Sequence, residues 1–102
     1  MERKIPKLYE TEEVPLEKKV IHRVYAIPSI GFYWLIAELD EKENIAFGFA
    51  NLNNDIFAEW GYIPIDEIVD NGGQLVQDWK PCEYPEARKL IEEQIAEGDS
   101  DG

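Results

Sequence analysis

Side chains alternate from Lys19 to Ile27, with Val20, His22, Val24 and Ala26 on one side and Ile21, Arg23, Tyr25 and Ile27 on the other. That period of two, in a stretch rich in β-branched residues, predicts a strand. Pro28-Ser29-Ile30-Gly31 reads as a turn. Phe32 to Leu39 is apolar on both faces, which predicts a central strand. The charged run Asp40-Glu41-Lys42-Glu43-Asn44 makes a hairpin loop, because Asp and Asn favour turns. Ile45 to Leu52 and Ala58 to Ile63 follow as the third and fourth strands, separated by the turn cluster Asn53-Asn54-Asp55.

Pro64 then opens a short helix, Ile65 to Asp70, with Asp66 and Glu67 at the positive end of its dipole and Asn71-Gly72-Gly73 as its stop. Gln74 to Trp79 predicts a fifth strand, ended by Pro81. From Pro85 to about Glu97, Ala87, Leu90, Ile91, Gln94 and Ile95 recur at helical spacing and predict a helix with one core-facing stripe. Residues 1–18 fit neither period and read as an extended lead-in that packs Leu8 and Tyr9 on the domain. Residues 98–102 read as a disordered acidic tail. The expected fold is a single α+β domain over residues 1–97. It is an antiparallel meander of four or five strands, with a short helix after the fourth strand and a C-terminal helix packed on one face.

The hairpin loop suggests a register. With Asp40 opposite Asn44, Leu39 meets Ile45, Ala37 meets Phe47 and Leu35 meets Phe49 on one apolar face. Alternation then gives the other face Glu38 opposite Ala46, Ile36 opposite Gly48 and Trp34 opposite Ala50. A slip of one residue would set Phe47 opposite Glu38, which is worse for burial, so the first register is preferred. Trp34 and Ile36 over a floor of Ala46, Gly48 and Ala50 is either a packing device covered by a helix or the lead-in, or a platform for a ligand with Trp34 as anchor and Glu38 as polar group. In Glu59-Trp60-Gly61-Tyr62, Trp60 and Tyr62 share a face, and Gly61 suggests a bulge. Trp34, Ile36, Glu38, Gly48, Glu59, Trp60 and Tyr62 are therefore the candidate binding surface.

Composition narrows the class. The chain has 102 residues, 44% hydrophobic and 12% aromatic, which is globular composition for one domain. Cys82 is the sole cysteine, so no internal disulfide forms, and that suits a reducing cytoplasmic compartment. No signal-peptide core follows the N-terminus, and the longest mainly apolar run, Ile27 to Leu39, is too short to cross a bilayer. Net charge is −12, and residues 38–70 hold nine carboxylates against Lys42 alone. This field disfavours nucleic acid and anionic membranes as direct partners and leaves a basic protein as the partner class, with the chain itself expected to be a monomer.

Catalytic chemistry is thinly represented. His22 is the only histidine and Cys82 follows Pro81, with nothing local to pair them. No spacing suits a metal, and no glycine loop cradles a phosphate, so no cofactor is expected. Glu38 and Glu59 would make a carboxylate pair for a small acid–base hydrolase only if the sheet brought them together. The reading favoured over that enzyme is a non-enzymatic binding module.

Four stretches together resemble a known group: Ile5-Pro6-Lys7-Leu8-Tyr9-Glu10-Thr11, Trp34 to Asp40, Phe47-Gly48, and Ala58-Glu59-Trp60-Gly61-Tyr62 followed by Asp66-Glu67-Ile68. They are similar to the domain-of-unknown-function family 2958, small prokaryotic proteins often carried on plasmids, phages and other mobile elements, over roughly residues 5 to 80. That family has no established site to carry over. It often has Ser at the place of Pro64, three residues before the acid at Glu67, which would form a capping box. Pro64 has no hydroxyl, so the helix start must be set differently here. The resemblance also implies a third function class, an acidic mimic of DNA that occupies a host DNA-processing enzyme, with Glu38, Asp40, Glu41, Glu43, Asp55 and Glu59 as the mimicking charges.

Overall fold

The computed structural model describes residues 5–52 and 58–100, the last four of them as backbone alone. The turn cluster Asn53-Asn54-Asp55 and the end of the predicted tail, Asp101 and Gly102, lie outside the described residues. Within them the chain forms β1 (Val20–Ile21), β2 (Arg23–Ile27), β3 (Phe32–Asp40), β4 (Ile45–Leu52), β5 (Glu59–Pro64), α1 (Ile65–Asp70), β6 (Gln74–Leu75), β7 (Cys82–Glu83) and α2 (Tyr84–Ser100). β2 to β5 make the expected antiparallel meander, and β6 returns to the far edge, giving the order β5-β4-β3-β2-β6. β1 and β7 pair with each other outside this sheet.

The two faces of the sheet bury two separate cores. Val24, Ala26, Tyr33, Leu35, Ala37 and Phe49 pack against Ala87 and Ile91 of α2. Tyr25, Trp34, Ile36, Leu39 and Ala46 pack against Ile65 and Ile68 of α1. The fold is therefore α+β, with the C-terminal helix on one face and the short helix on the other. Each large apolar side chain buried this way contributes about 1.5–3 kcal/mol, so β3, buried along nearly its whole length, anchors both layers.

The start of α1 is set from outside the helix. Pro64 makes no side-chain cap. Instead the carbonyl of Asn44, in the β3–β4 hairpin, accepts the Ile65 N–H at 2.9 Å, and the Asn44 amide donates to Asp66 at 3.2 Å. Asn44 reaches this position with φ at 57°, in the left-handed region that Asn tolerates.

Five expectations change. Lys19 to Ile27 is not one strand: it breaks at His22, because Val20 and Ile21 leave the sheet to pair with Glu83 and Cys82. This break turns Ile21 into the same core as Val24, against simple alternation. Gln74 to Trp79 yields only a two-residue strand on Tyr25 and Ala26, since Asp78 turns the chain with φ at 60° and the Trp79 ring N–H donates to the Ile21 carbonyl. The lead-in is not extended: turns close from Lys7 to Glu10, Tyr9 to Glu12 and Thr11 to Val14, ahead of a 3-10 turn at Leu16–Lys18. Residues 98–100 continue α2 rather than forming a disordered tail, since each added residue gains a backbone bond without a new nucleus.

The fifth change concerns β3. Leu35 pairs with Phe49, Ile36 with Gly48 and Trp34 with Ala50, as the first register requires. Beyond Ile36 the register shifts by one: Glu38 meets Phe47, Leu39 meets Ala46 and Asp40 meets Ile45. Ala37 is the extra residue of a β-bulge. The bulge thus lies in β3 and not at Gly61, which pairs regularly with Gly48. Without it Glu38 would enter the apolar core under α1, where an unpaired carboxylate is costly. With it, Leu39 takes that place and Glu38 turns to the opposite face.

Candidate functional site

The bulge creates a polar centre inside the sheet. Glu38 is only 3% exposed. Its carboxylate accepts the Tyr9 N–H at 2.8 Å, the Thr11 N–H at 3.0 Å and the Thr11 hydroxyl. Lys19, equally buried, sits 3.8 Å from the carboxylate and donates to the Thr11 carbonyl and hydroxyl. Its ammonium also lies 5.7 Å from the centre of the Phe47 ring. The lead-in reaches this place because β2 ends short of the bulge: past Ile36, the Leu39 N–H is taken by the Pro6 carbonyl at 2.8 Å. Lys19 itself is held from behind by the Tyr84 N–H, which donates to the Lys19 carbonyl at the start of α2.

Above the polar centre is an open groove of about 310 Å³, lined in part by Tyr9, Glu12, Leu16, Phe47 and Tyr62. Tyr9 and Tyr62 are 61% and 55% exposed, with ring centroids 6.0 Å apart. Tyr62 packs on Phe47 at 5.2 Å, and Phe47 stacks on Trp60 at 5.7 Å. A hydrogen bond with Tyr9 raises the Tyr62 phenol above its ordinary pKa. Two phenol tips therefore stand in water over an aromatic base, a surface suited to contact with another chain.

The predicted surface divides between the two sides of the sheet. Trp34 is 6% exposed and Ile36 and Gly48 are buried, with Ile65 and Ile68 of α1 and Ile5 of the lead-in packed over that side. The platform is thus covered, by both of the segments named as possible covers. Gly48 marks the close approach of a backbone: a Cβ there would lie 2.0 Å from the Leu35 carbonyl oxygen. Trp60 and Tyr62 do share a face, the one bearing Phe47 and Phe49, as expected. Tyr9, Lys19, Thr11 and Phe47 belong to this site and were not among the predicted residues. The one local sign of it was a lone carboxylate in an otherwise apolar strand.

Glu38 and Glu59 do not converge. Glu59 pairs with Ala50 on the α1 side of the sheet, whereas Glu38 pairs with Phe47 on the other side, three rungs away. Nor can Glu38 act as an exposed mimic of phosphate, being buried and paired; Asp55, named with it, lies outside the described residues. Cys82 is half-buried, and burial followed by the charge of Glu86 pushes its thiol up, opposite to what a nucleophile needs. Among the described residues no three His, Cys, Asp or Glu side chains cluster as metal ligands, and no helix is long and apolar enough to cross a membrane.

No family model, curated protein or solved structure matches this chain.

Proposed function

We propose that this protein is a non-enzymatic binding module whose recognition surface is the groove under Tyr9 and Tyr62. The observation that carries the reading is the exposed tyrosine pair over Phe47, held in place by the buried Glu38–Lys19 pair. Glu38 has both oxygens occupied by hydrogen bonds and Lys19 is bound to Thr11, so these groups shape the groove rather than act on a substrate. Aromatic rings with polar tips supply large contact area at low entropic cost, the usual anchors of a protein-binding surface. The net charge of −12 makes a basic protein segment the fitting partner.

A displayed peptide library selected on the wild-type protein, then rescreened on Tyr9→Ala and Tyr62→Ala, tests the reading. Selected peptides should carry basic residues and lose at least about tenfold in affinity on either variant, the range expected of an aromatic anchor. Peptides that bind the variants unchanged, or a library that yields none, would count against it.

A further inference from the structure

β5 ends the sheet, and its outer edge carries no backbone partner among the described residues. The phase of the β4–β5 ladder shows which groups face outward. The Ile65 N–H to Asn44 carbonyl bond lies one step beyond the Ile45–Pro64 pair. In an antiparallel ladder, alternate residues turn both backbone groups to the partner strand. Glu59, Gly61 and Ile63 therefore turn toward β4, and the N–H and C=O of Trp60 and Tyr62 point out from the edge. Pro64, with no N–H, closes one end. A bare edge is usually guarded by a lysine, a bulge or a covering segment. β5 contains no lysine and pairs regularly through Gly61.

We propose that β5 is a strand-addition site for an extended, basic segment of another protein, resting on the binding-module reading above and naming how that partner docks. The added strand bonds the N–H and C=O groups of Trp60 and Tyr62. Its side chains alternate. Those on the groove side meet Trp60 and the exposed Tyr62 and are apolar. Those on the other side pass over Gly61, where a Cβ would meet nothing within 4 Å, and stand diagonal to Glu59. Charge selects the occupant. No Lys or Arg occurs between Lys42 and Lys80, and the exposed charges on β5 and α1 are Glu59, Asp66, Glu67 and Asp70. β5 and α1 offer a second copy carboxylates but no lysine or arginine to meet them, whereas a segment alternating lysine with apolar residues complements them.

The test uses the full chain and a capped peptide alternating lysine and valine, with binding read by calorimetry and by backbone amide shifts. Binding is expected to move the Trp60 and Tyr62 amide resonances and slow their hydrogen exchange. The same peptide methylated on alternate backbone nitrogens should not bind, and Glu59→Lys should weaken binding about three- to tenfold through lost attraction and new repulsion. If the methylated peptide binds equally and shifts are confined to the Tyr9 and Phe47 side chains, strand addition is wrong while the groove reading stands. If peptides selected in the library screen also ignore Tyr9→Ala and Tyr62→Ala, the groove reading fails as well. Absence of binding by the lysine–valine peptide overturns the inference. So does a concentration-dependent dimer showing the same two amide shifts, which would make the occupant a second copy.

Discussion

Glu38 and Lys19 face each other 3.8 Å apart in the interior, each about 95% shielded from solvent, and among the described residues neither has another opposite charge within ion-pair distance. Such a pair is not necessarily stabilising relative to apolar residues, but breaking it leaves one charge stranded. Glu38→Gln and Lys19→Met should each cost about 3–5 kcal/mol in urea denaturation near neutral pH. The double variant should cost well under the sum, since contacting residues couple strongly. Additive losses would show that the two charges do not act as a unit.

Gly48 and Gly61 are cross-strand neighbours with opposite tolerance for a methyl group. Gly48→Ala drives a Cβ into the Leu35 carbonyl, so it should destabilise strongly or prevent folding. Gly61→Ala meets open space and removes a flexible residue from a strand, and should stabilise by about 0.5–1 kcal/mol. Thermal melts of the two variants decide this, and equal behaviour would contradict the close approach of the Leu35 carbonyl to Gly48.

The exposed and the buried aromatics should separate in stability. Trp34→Ala empties a site packed by Ile68 and Gly73 and should cost about 3–5 kcal/mol. Tyr9→Ala, at an exposed ring, should cost under about 1 kcal/mol. A large loss for Tyr9→Ala would mean that the ring serves the fold rather than a partner.

Tyr33 donates to Glu92 at 2.6 Å and accepts from Asn51, while Glu92 also takes the Arg88 guanidinium at 3.0 Å. Burial, and then the Glu92 hydrogen bond, raise the Tyr33 pKa well above its ordinary value. A raised folded-state pKa means that this contribution is intact below the unfolded value, about 10, and is lost as pH climbs through the folded one. Stability should therefore fall above about pH 10, and less steeply in Tyr33→Phe. Parallel slopes for the two proteins in alkaline denaturation would remove Tyr33 as a source.

Local pattern alone identified the hairpin strands, the short helix after Pro64, the start of α2 and the shared face of Trp60 and Tyr62. These depend on alternation, turn residues and helical spacing, all visible within a short window. The bulge at Ala37 was not legible, because its cause is remote: Glu38 is turned by Tyr9, Thr11 and Lys19, between 19 and 29 positions earlier. Glu38 opposite Phe47 is unfavourable only for an unsatisfied carboxylate, and Tyr9, Thr11 and Lys19 satisfy this one. The break at His22 has a similar origin, since the strand it frees pairs with residues about 60 positions later. Both misses share one physical reason, a long-range polar or strand contact that outweighs local alternation.

The hairpin loop from Asp40 to Asn44 has the composition of a segment that normally accepts insertions. Yet its last carbonyl supplies the first acceptor for α1, and Asp40 holds the Lys42 and Glu43 amides in a fixed turn. Lengthening this tip by even one residue would move Asn44 off the helix start and uncover the Trp34 side of the sheet. Among homologous chains, this surface tip should vary in charge but not in length.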